Sequence, residues 1–346
     1  MRVVIGCLLA ASACSPASSQ VPRDASPFDA LDPTPDAPGT APDAPQPAPA
    51  RIAGINIPPT QGSSNAGAFL PGVYRYDYTV AQIAAVAPTF TAMRLPINVE
   101  SAADPATLAK LRSYVDQLAG QAALICLFDT TADPSGAPHG DGRPDITSAG
   151  AAWAKIHAVF ASYPNVRYEL FNEPFGYSAA TAAQYVADMQ QIITAGGLPA
   201  SKVILDGVGY ADDVAAVANA GWTGDLGYHF YPNWLSSNRT QSSYSNLIQA
   251  TLAGLSSRVW ITEFGANLSD QSNPCYEMYI DDTAAPNADV DALRGLDDAL
   301  RALRAANEPI HGAFFWHGWH NGDSYDYWSS ANAQGACKVR LIEASY

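Results

Sequence analysis

The sequence predicts an α/β fold of the closed (β/α)8, or TIM-barrel, type, and two observations carry that prediction. Eight short apolar runs recur between residues 51 and 346, most of them continuous rather than alternating. Strands buried on both faces of a helix-covered parallel sheet have that pattern. Amphipathic segments at helical spacing lie between the runs, so strand and helix alternate with right-handed crossovers. Eight such units in roughly 300 residues fit one barrel.

In chain order the runs are Arg51–Ile57, Thr91–Leu95, Ala123–Phe128, Arg167–Phe171, Val203–Asp206, Leu226–Tyr231, Val259–Phe264 and His311–Trp316. The clearest helix is 105–119: Leu108, Leu111, Val115 and Leu118 share a face, Asp104 caps it, Pro105 starts it and Gly120 ends it. A second, 290–304, carries Val290, Leu293, Leu296, Leu300 and Leu303. Trp153, Ile156 and Phe160 mark a third stripe, and Tyr185, Met189 and Ile192 a fourth. Spacing alone leaves a doubly wound open sheet in play. Against it, Gly54-Ile55-Asn56 stands where a Gly-rich phosphate loop would follow the first strand of a dinucleotide fold.

Two segments precede the barrel. Residues 1–14 read as an export signal: Arg2, an apolar run from Val3 to Leu9, then Ala11-Ser12-Ala13 before Cys14. Ala-Ser-Ala-Cys resembles a bacterial lipobox, so Cys14 is the expected lipidation site, and the protein is expected to be exported, either held at the cell surface or secreted. Residues 15–50 hold ten prolines among Ala, Asp, Ser and Thr. So little apolar content cannot offset the entropy of ordering, which makes the segment a disordered tether. The catalytic domain is then 51–346. A net charge of −15 argues against nucleic acid and anionic membranes as partners and suits a neutral polymer. Membrane contact is expected only through a lipid at Cys14, and nothing in the sequence points away from a monomer. Cys126 lies inside an apolar run, which leaves Cys275 and Cys337 as a disulfide pair in an exported chain.

The chemistry sits at strand ends, where a barrel builds its site. Run four leads into Tyr168-Glu169-Leu170-Phe171-Asn172-Glu173-Pro174, and run seven ends Trp260-Ile261-Thr262-Glu263-Phe264-Gly265. Each sets a carboxylate at the tip of an apolar strand, which is costly unless the group is paired or functional. Two facing carboxylates are what a retaining glycosidase needs, one protonated to release the leaving group and one ionised to attack the sugar. Metal and cofactor chemistry is not implied: His317, His320 and Asp323 lack a completing ligand, and the Asp133–Asp145 loop lacks calcium spacing. No Gly-x-Ser-x-Gly elbow marks a serine hydrolase.

On these residues the chain resembles the clan-A glycoside hydrolases, most closely the family 5 cellulase-like group. The resemblance implies that Glu173 is the acid/base and Glu263 the nucleophile. It implies that Arg94 holds the nucleophile ionised, that Asn172 binds the sugar 2-hydroxyl, that Tyr231 of the His229-x-Tyr231 pair bonds Glu263, and that Trp316 floors the subsite before the scissile bond. One departure is clear: the third-strand end, Leu127-Phe128-Asp129-Thr130, lacks the family's His, for which His139 is the available substitute. Trp234 and Trp319, in aromatic loops after runs six and eight, are the expected sugar platforms. The expected activity is a retaining endo-β-glycanase on β-1,4-glucan or β-mannan. An exo-acting glycosidase or transglycosylase using the same site, and a catalytically silent glycan-binding lipoprotein, are the alternatives.

Overall fold

The computed structural model describes residues 52–57, 80–86, 90–129, 140–266 and 288–316. Eight parallel strands close into a barrel in sequence order: β1 Ile52–Asn56, β2 Ala92–Ile97, β3 Ala123–Leu127, β4 Val166–Glu169, β5 Val203–Asp206, β6 Asp225–Phe230, β7 Val259–Phe264 and β8 Gly312–Phe315. β1 closes the ring on β8, with Ile52 opposite Gly312. Around it lie α1 (Val80–Val86), α2 (Val99–Ala103), α3 (Pro105–Gln117), α4 (Ile146–Phe160), α5 (Ala182–Gly196), the single turn α6 (Val208–Ala211), α7 (Val214–Asn219), α8 (Gln241–Leu252) and α9 (Ala288–Ala305). Among the described residues no helix is long and apolar enough to cross a membrane.

Each strand begins or ends within a residue or two of its apolar run, and the differences have physical causes. β2 continues through Pro96 to Ile97, all buried, because the barrel encloses this stretch completely. β4 stops at Glu169, yet the chain beyond it keeps alternating between neighbours, Leu170 N–H donating to Ile204 C=O and Asn172 N–H to Leu127 C=O. α3 ends at Gln117, earlier than Gly120 implies. Ala119 (φ 50°) already turns left-handed ahead of Gly120 (φ 89°). Asp104 does cap this helix, accepting from the Ala106 and Thr107 N–H groups.

Two apolar layers hold the barrel. The larger lies between strands and helices and includes Trp153, Ile156 and Phe160 of α4, Tyr185, Met189 and Ile192 of α5, and Leu293, Leu296 and Leu300 of α9. Ala92, Leu124, Ile204, Trp260 and Phe314 form a smaller cluster from five different strands, filling the barrel's own interior. Gly54 is required there, since any Cβ would collide with the Phe314 ring. Above this apolar plug the interior turns polar: Asn56, Arg94, Glu169, Asp206, His229, Thr262 and Glu263 are all buried.

Candidate active site

Arg94, inside β2 and fully buried, organises the polar layer. Its Nε donates to Glu169 Oε2 (2.6 Å) and its Nη2 to Glu169 Oε1 (2.8 Å), a two-pronged pairing with β4. Nη1 donates to Asn56 Oδ1 (2.8 Å) and to Glu263 Oε1 (2.5 Å), and Nη2 also reaches Asn172 Oδ1 (2.7 Å) and Cys126 Sγ (3.0 Å). Burial opposes the guanidinium's charge, but Cys126, Glu169 and Glu263 outweigh it and hold the pKa well above the ordinary value. Burial likewise opposes ionisation of Glu169, and Arg94 overrides it, keeping this carboxyl well below the usual range.

Glu173 sits in a tight turn just past β4. Its φ of 48° is left-handed, a conformation costing a non-glycine residue about 1–2 kcal/mol. The turn is tied at both ends. The Glu173 N–H donates to Asp206 Oδ2 of β5 (3.1 Å), and the Phe175 N–H donates to the Glu173 carbonyl (2.6 Å). The turn brings the side chain back over the barrel, where Oε1 lies 2.9 Å from His229 Nδ1.

The opposite wall comes from β6 and β7. His229 of β6 is fully buried, with Nδ1 also 3.6 Å from Glu263 Oε2. Burial works against its charge, but Glu263, Glu169, Glu173 and Asp206 prevail and hold the imidazole well above its ordinary pKa. The β6–β7 register shifts so that His229 pairs with Glu263, and the β7–β8 register shifts between Ile261 and Phe264. Such irregularities are a common way to re-aim a side chain beside a site. The Tyr231 hydroxyl donates to Glu263 Oε2 (2.7 Å), so Glu263 receives Arg94 on one oxygen and Tyr231 on the other. One ligand-type atom from each of Glu173, His229 and Glu263 lies within 4.8 Å of the other two, a cluster assembled from β4, β6 and β7.

The scan against family models matches residues 74–299 to Cellulase (glycosyl hydrolase family 5). The chain belongs to that family. It is therefore a glycoside hydrolase. Among solved structures it is similar to a triply substituted endo-β-1,4-glucanase from Xanthomonas axonopodis pv. citri (TM-score 0.58, 17% identity, 85% of this chain and 99% of that one). It is also similar to an endoglucanase from Pseudomonas stutzeri in complex with cellobiose (0.56, 15%, 84% and 92%) and to a hyperthermophilic endocellulase from the archaeon Pyrococcus horikoshii (0.59, 13%, 86% and 93%). At these identities the likeness establishes the fold. No curated protein sequence matches the chain.

Around Glu173 and Glu263 the aromatic residues of this family 5 hydrolase divide. Trp316, half-buried after β8, stacks on Phe128 at the end of β3 (ring centroids 5.9 Å, planes 18° apart), forming a flat wall beside the mouth. Trp234 donates Nε1–H to the His229 carbonyl (2.7 Å) and meets Tyr231 edge-on (5.7 Å, 75°). In the structure its indole braces Tyr231, the partner of Glu263. His139, Trp319, Cys275, Cys337 and Cys14, with His317, His320 and Asp323, lie outside the described residues.

The structure adds four residues that the sequence reading did not single out. Glu169 and Asp206 are carboxylates at the last positions of β4 and β5, the same strand-end signal that marked Glu173 and Glu263. Phe175 and Tyr210 form a stacked pair (5.7 Å, 18°) from the turns after β4 and β5, and Tyr210 is 54% exposed. Its turn is held by Gly209 (φ 79°), Ala211 (φ 58°) and a Val208–Asp213 bridge. No pattern in the sequence announces that pair, because the rings come from separate loops.

Proposed function

We propose that this hydrolase is a retaining endo-β-glycanase of β-1,4-glucan, with Glu173 as acid/base and Glu263 as nucleophile. The observation that carries the reading is the approach of carboxylate oxygens from Glu173 and Glu263 to within 4.8 Å of each other. Retaining glycosidases hold their carboxyl groups about 5–5.5 Å apart, whereas inverting ones leave a wider gap for water. The substrate assignment leans on the endoglucanases that share the fold, one of them solved with cellobiose.

In this reading Glu263, oriented by Arg94 and Tyr231, attacks the anomeric carbon. Glu173, steadied at Oε1 by His229, protonates the departing oxygen. The C–O bond to the leaving sugar breaks as the bond to Glu263 forms, giving a glycosyl ester. Glu173, now ionised, takes a proton from water, which attacks the same carbon and releases Glu263. The amide nitrogen of Asn172 is left to donate to the sugar 2-hydroxyl, since its oxygen is occupied by Arg94. The Trp316–Phe128 wall supports the sugar ahead of the cut, and the Phe175–Tyr210 pair the sugar beyond it, on the acid/base side.

The test is a reducing-sugar screen over β-1,4-glucan, mannan, xylan and mixed-linkage glucan, followed by product sizing. Rapid appearance of mid-length products from β-1,4-glucan is the expected result. Single sugars or dimers released from chain ends would instead give the exo-acting reading. Binding without turnover on the whole panel would give the silent lectin. For retention, the first-formed anomer is followed by NMR, and inversion of configuration would overturn the assignment of Glu263.

A further inference from the structure

The carboxylate at the end of β5 has no part in the mechanism above, and its surroundings are unusual. Asp206 is fully buried. Its Oδ2 accepts the Glu173 N–H at 3.1 Å, its Oδ1 is buried without a hydrogen-bond partner, and one of its oxygens lies within 4.8 Å of a Glu169 carboxylate oxygen. The barrel makes room for it: at Gly227 of β6 any Cβ would collide with Asp206 Oδ1 and crowd the Thr262 hydroxyl, which is also buried and unpartnered.

We propose that Asp206 is a positioning residue that works as a neutral carboxylic acid, clamping the Glu173 turn in its left-handed conformation while donating its proton to Glu169. This rests on reading Glu173 as the acid/base. Two fully buried carboxyl groups with oxygens within 4.8 Å of each other hold one proton between them, because like charges that close resist ionising together. Arg94 binds both oxygens of Glu169 and keeps it the anion, so the proton belongs to Asp206. Burial and the Glu169 charge both push the Asp206 carboxyl well upward, in the same direction.

The titratable groups around this site are Arg94 from β2, Cys126 from β3, Glu169 from β4 and Glu173 from the turn after it, His229 from β6, Glu263 from β7, and Asp212 and the Tyr185 hydroxyl from outside the ring. With Arg94 and His229 positive, Glu169 and Glu263 negative, and Glu173 carrying the proton it must donate, the buried charges cancel only if Asp206 is neutral. An ionised Asp206 would compete for His229, whose unpartnered Nε2 is 3.8 Å from Asp206 Oδ2. Kept neutral, it leaves the imidazole committed to Glu173 and Glu263 through Nδ1. Glu169, Asp206 and His229 also offer atoms spaced for a metal ion. Arg94 already supplies the positive charge there, and a proton completes the set.

The experiment compares two variants of the full chain. Asp206→Asn matches a neutral carboxylic acid in shape: its oxygen accepts the Glu173 N–H and its amide donates to Glu169. It is expected to keep kcat on glucan within about threefold, with an unchanged pH profile. Asp206→Ser loses the clamp. It should lower kcat on glucan about a hundredfold, in the range of a general acid's contribution, with KM nearly constant. On an aryl β-glycoside, whose phenolate leaves without acid help, the same variant should lose only a few-fold in kcat/KM, which reports the glycosylation step alone.

An Asn variant as impaired as the Ser variant would show that Asp206 acts as an anion and overturn the proposal. So would a Ser variant whose kcat/KM falls equally on both substrates, or one changed in KM alone. If Asp206→Ser fails to fold, infrared difference spectra of wild type against Asp206→Asn decide the matter. The carbonyl band of a protonated carboxylic acid at neutral pH must be present in the first and lost in the second. Stoichiometric metal in the purified protein, lost on Asp206→Asn, would also refute it. Glu173→Ala run alongside separates the two readings: if its kcat/KM falls equally on glucan and aryl glycoside, the acid/base assignment fails, whatever Asp206 does.

Discussion

Replacing Arg94 by methionine tests the electrostatic design of the barrel interior. The substitution keeps an apolar stem of similar length and removes the charge that Glu169, fully buried, and Glu263, 4% exposed, both depend on. Glu169 then has one escape, to take up a proton. At pH 7, protonating a carboxyl of ordinary pKa 4.5 costs about 3.4 kcal/mol, which agrees with the roughly 3–5 kcal/mol lost when one partner of a buried pair is removed. At pH 5 the same step costs under about 1 kcal/mol.

The sign follows from the shifts. In the wild type the Glu169 pKa is depressed below its unfolded value. Its stabilisation is therefore complete above about pH 4.5 and lost as pH falls toward the folded value. In Arg94→Met the shift reverses, so the variant loses stability as pH rises from 4.5 to 7. Urea unfolding followed by tryptophan fluorescence should show a deficit of about 3–4 kcal/mol at pH 7, equivalent to about 5 °C in Tm, shrinking to about 1 kcal/mol at pH 5. Adding Glu169→Gln should remove most of this pH dependence. A deficit under 1 kcal/mol at pH 7, or one identical at both pH values, would refute the reasoning.

Other outcomes are open to direct measurement. Glu263→Ala should abolish glucan hydrolysis, and intact-protein mass spectrometry should detect a trapped glycosyl adduct of a slow fluorinated substrate on wild type but not on this variant. Tyr231→Phe removes one of the two donors holding Glu263 and should lower kcat about tenfold with little change in KM. Tyr210→Ala should raise KM several-fold for cello-oligosaccharides that extend past the cut while leaving aryl glycosides unaffected, since only the former place a sugar on that ring. For export, metabolic labelling with a radioactive fatty acid should mark the chain and fail on Cys14→Ser; equal labelling of both would remove the lipid-anchor proposal.

The order of strands and helices was legible because it is a local, periodic property. A strand covered on both faces must be apolar throughout, as β3 is, and a helix on the outside must carry a stripe, as α3 and α9 do. Glu173 and Glu263 were legible for the converse reason, as single carboxylates at the tips of such strands. The same logic points to Glu169 and Asp206, but sequence gives a buried charge no partner and so no role. Trp234 meets the same limit: the sequence offers its ring as a sugar platform and gives no sign that its N–H donates to the His229 carbonyl.

The sequence by itself determined the barrel and the strand-end positions of Glu173 and Glu263, because burial pattern and strand-end position are written along the chain. Tertiary structure alone decided that Arg94 bridges Glu169 and Glu263 and that Asp206 reaches the Glu173 backbone. It also decided that His229 stands between the two carboxylates. Those relations join residues from β2, β4, β5, β6 and β7 across the barrel axis, and both the distance between two charges and the water around them exist only once the ring has closed.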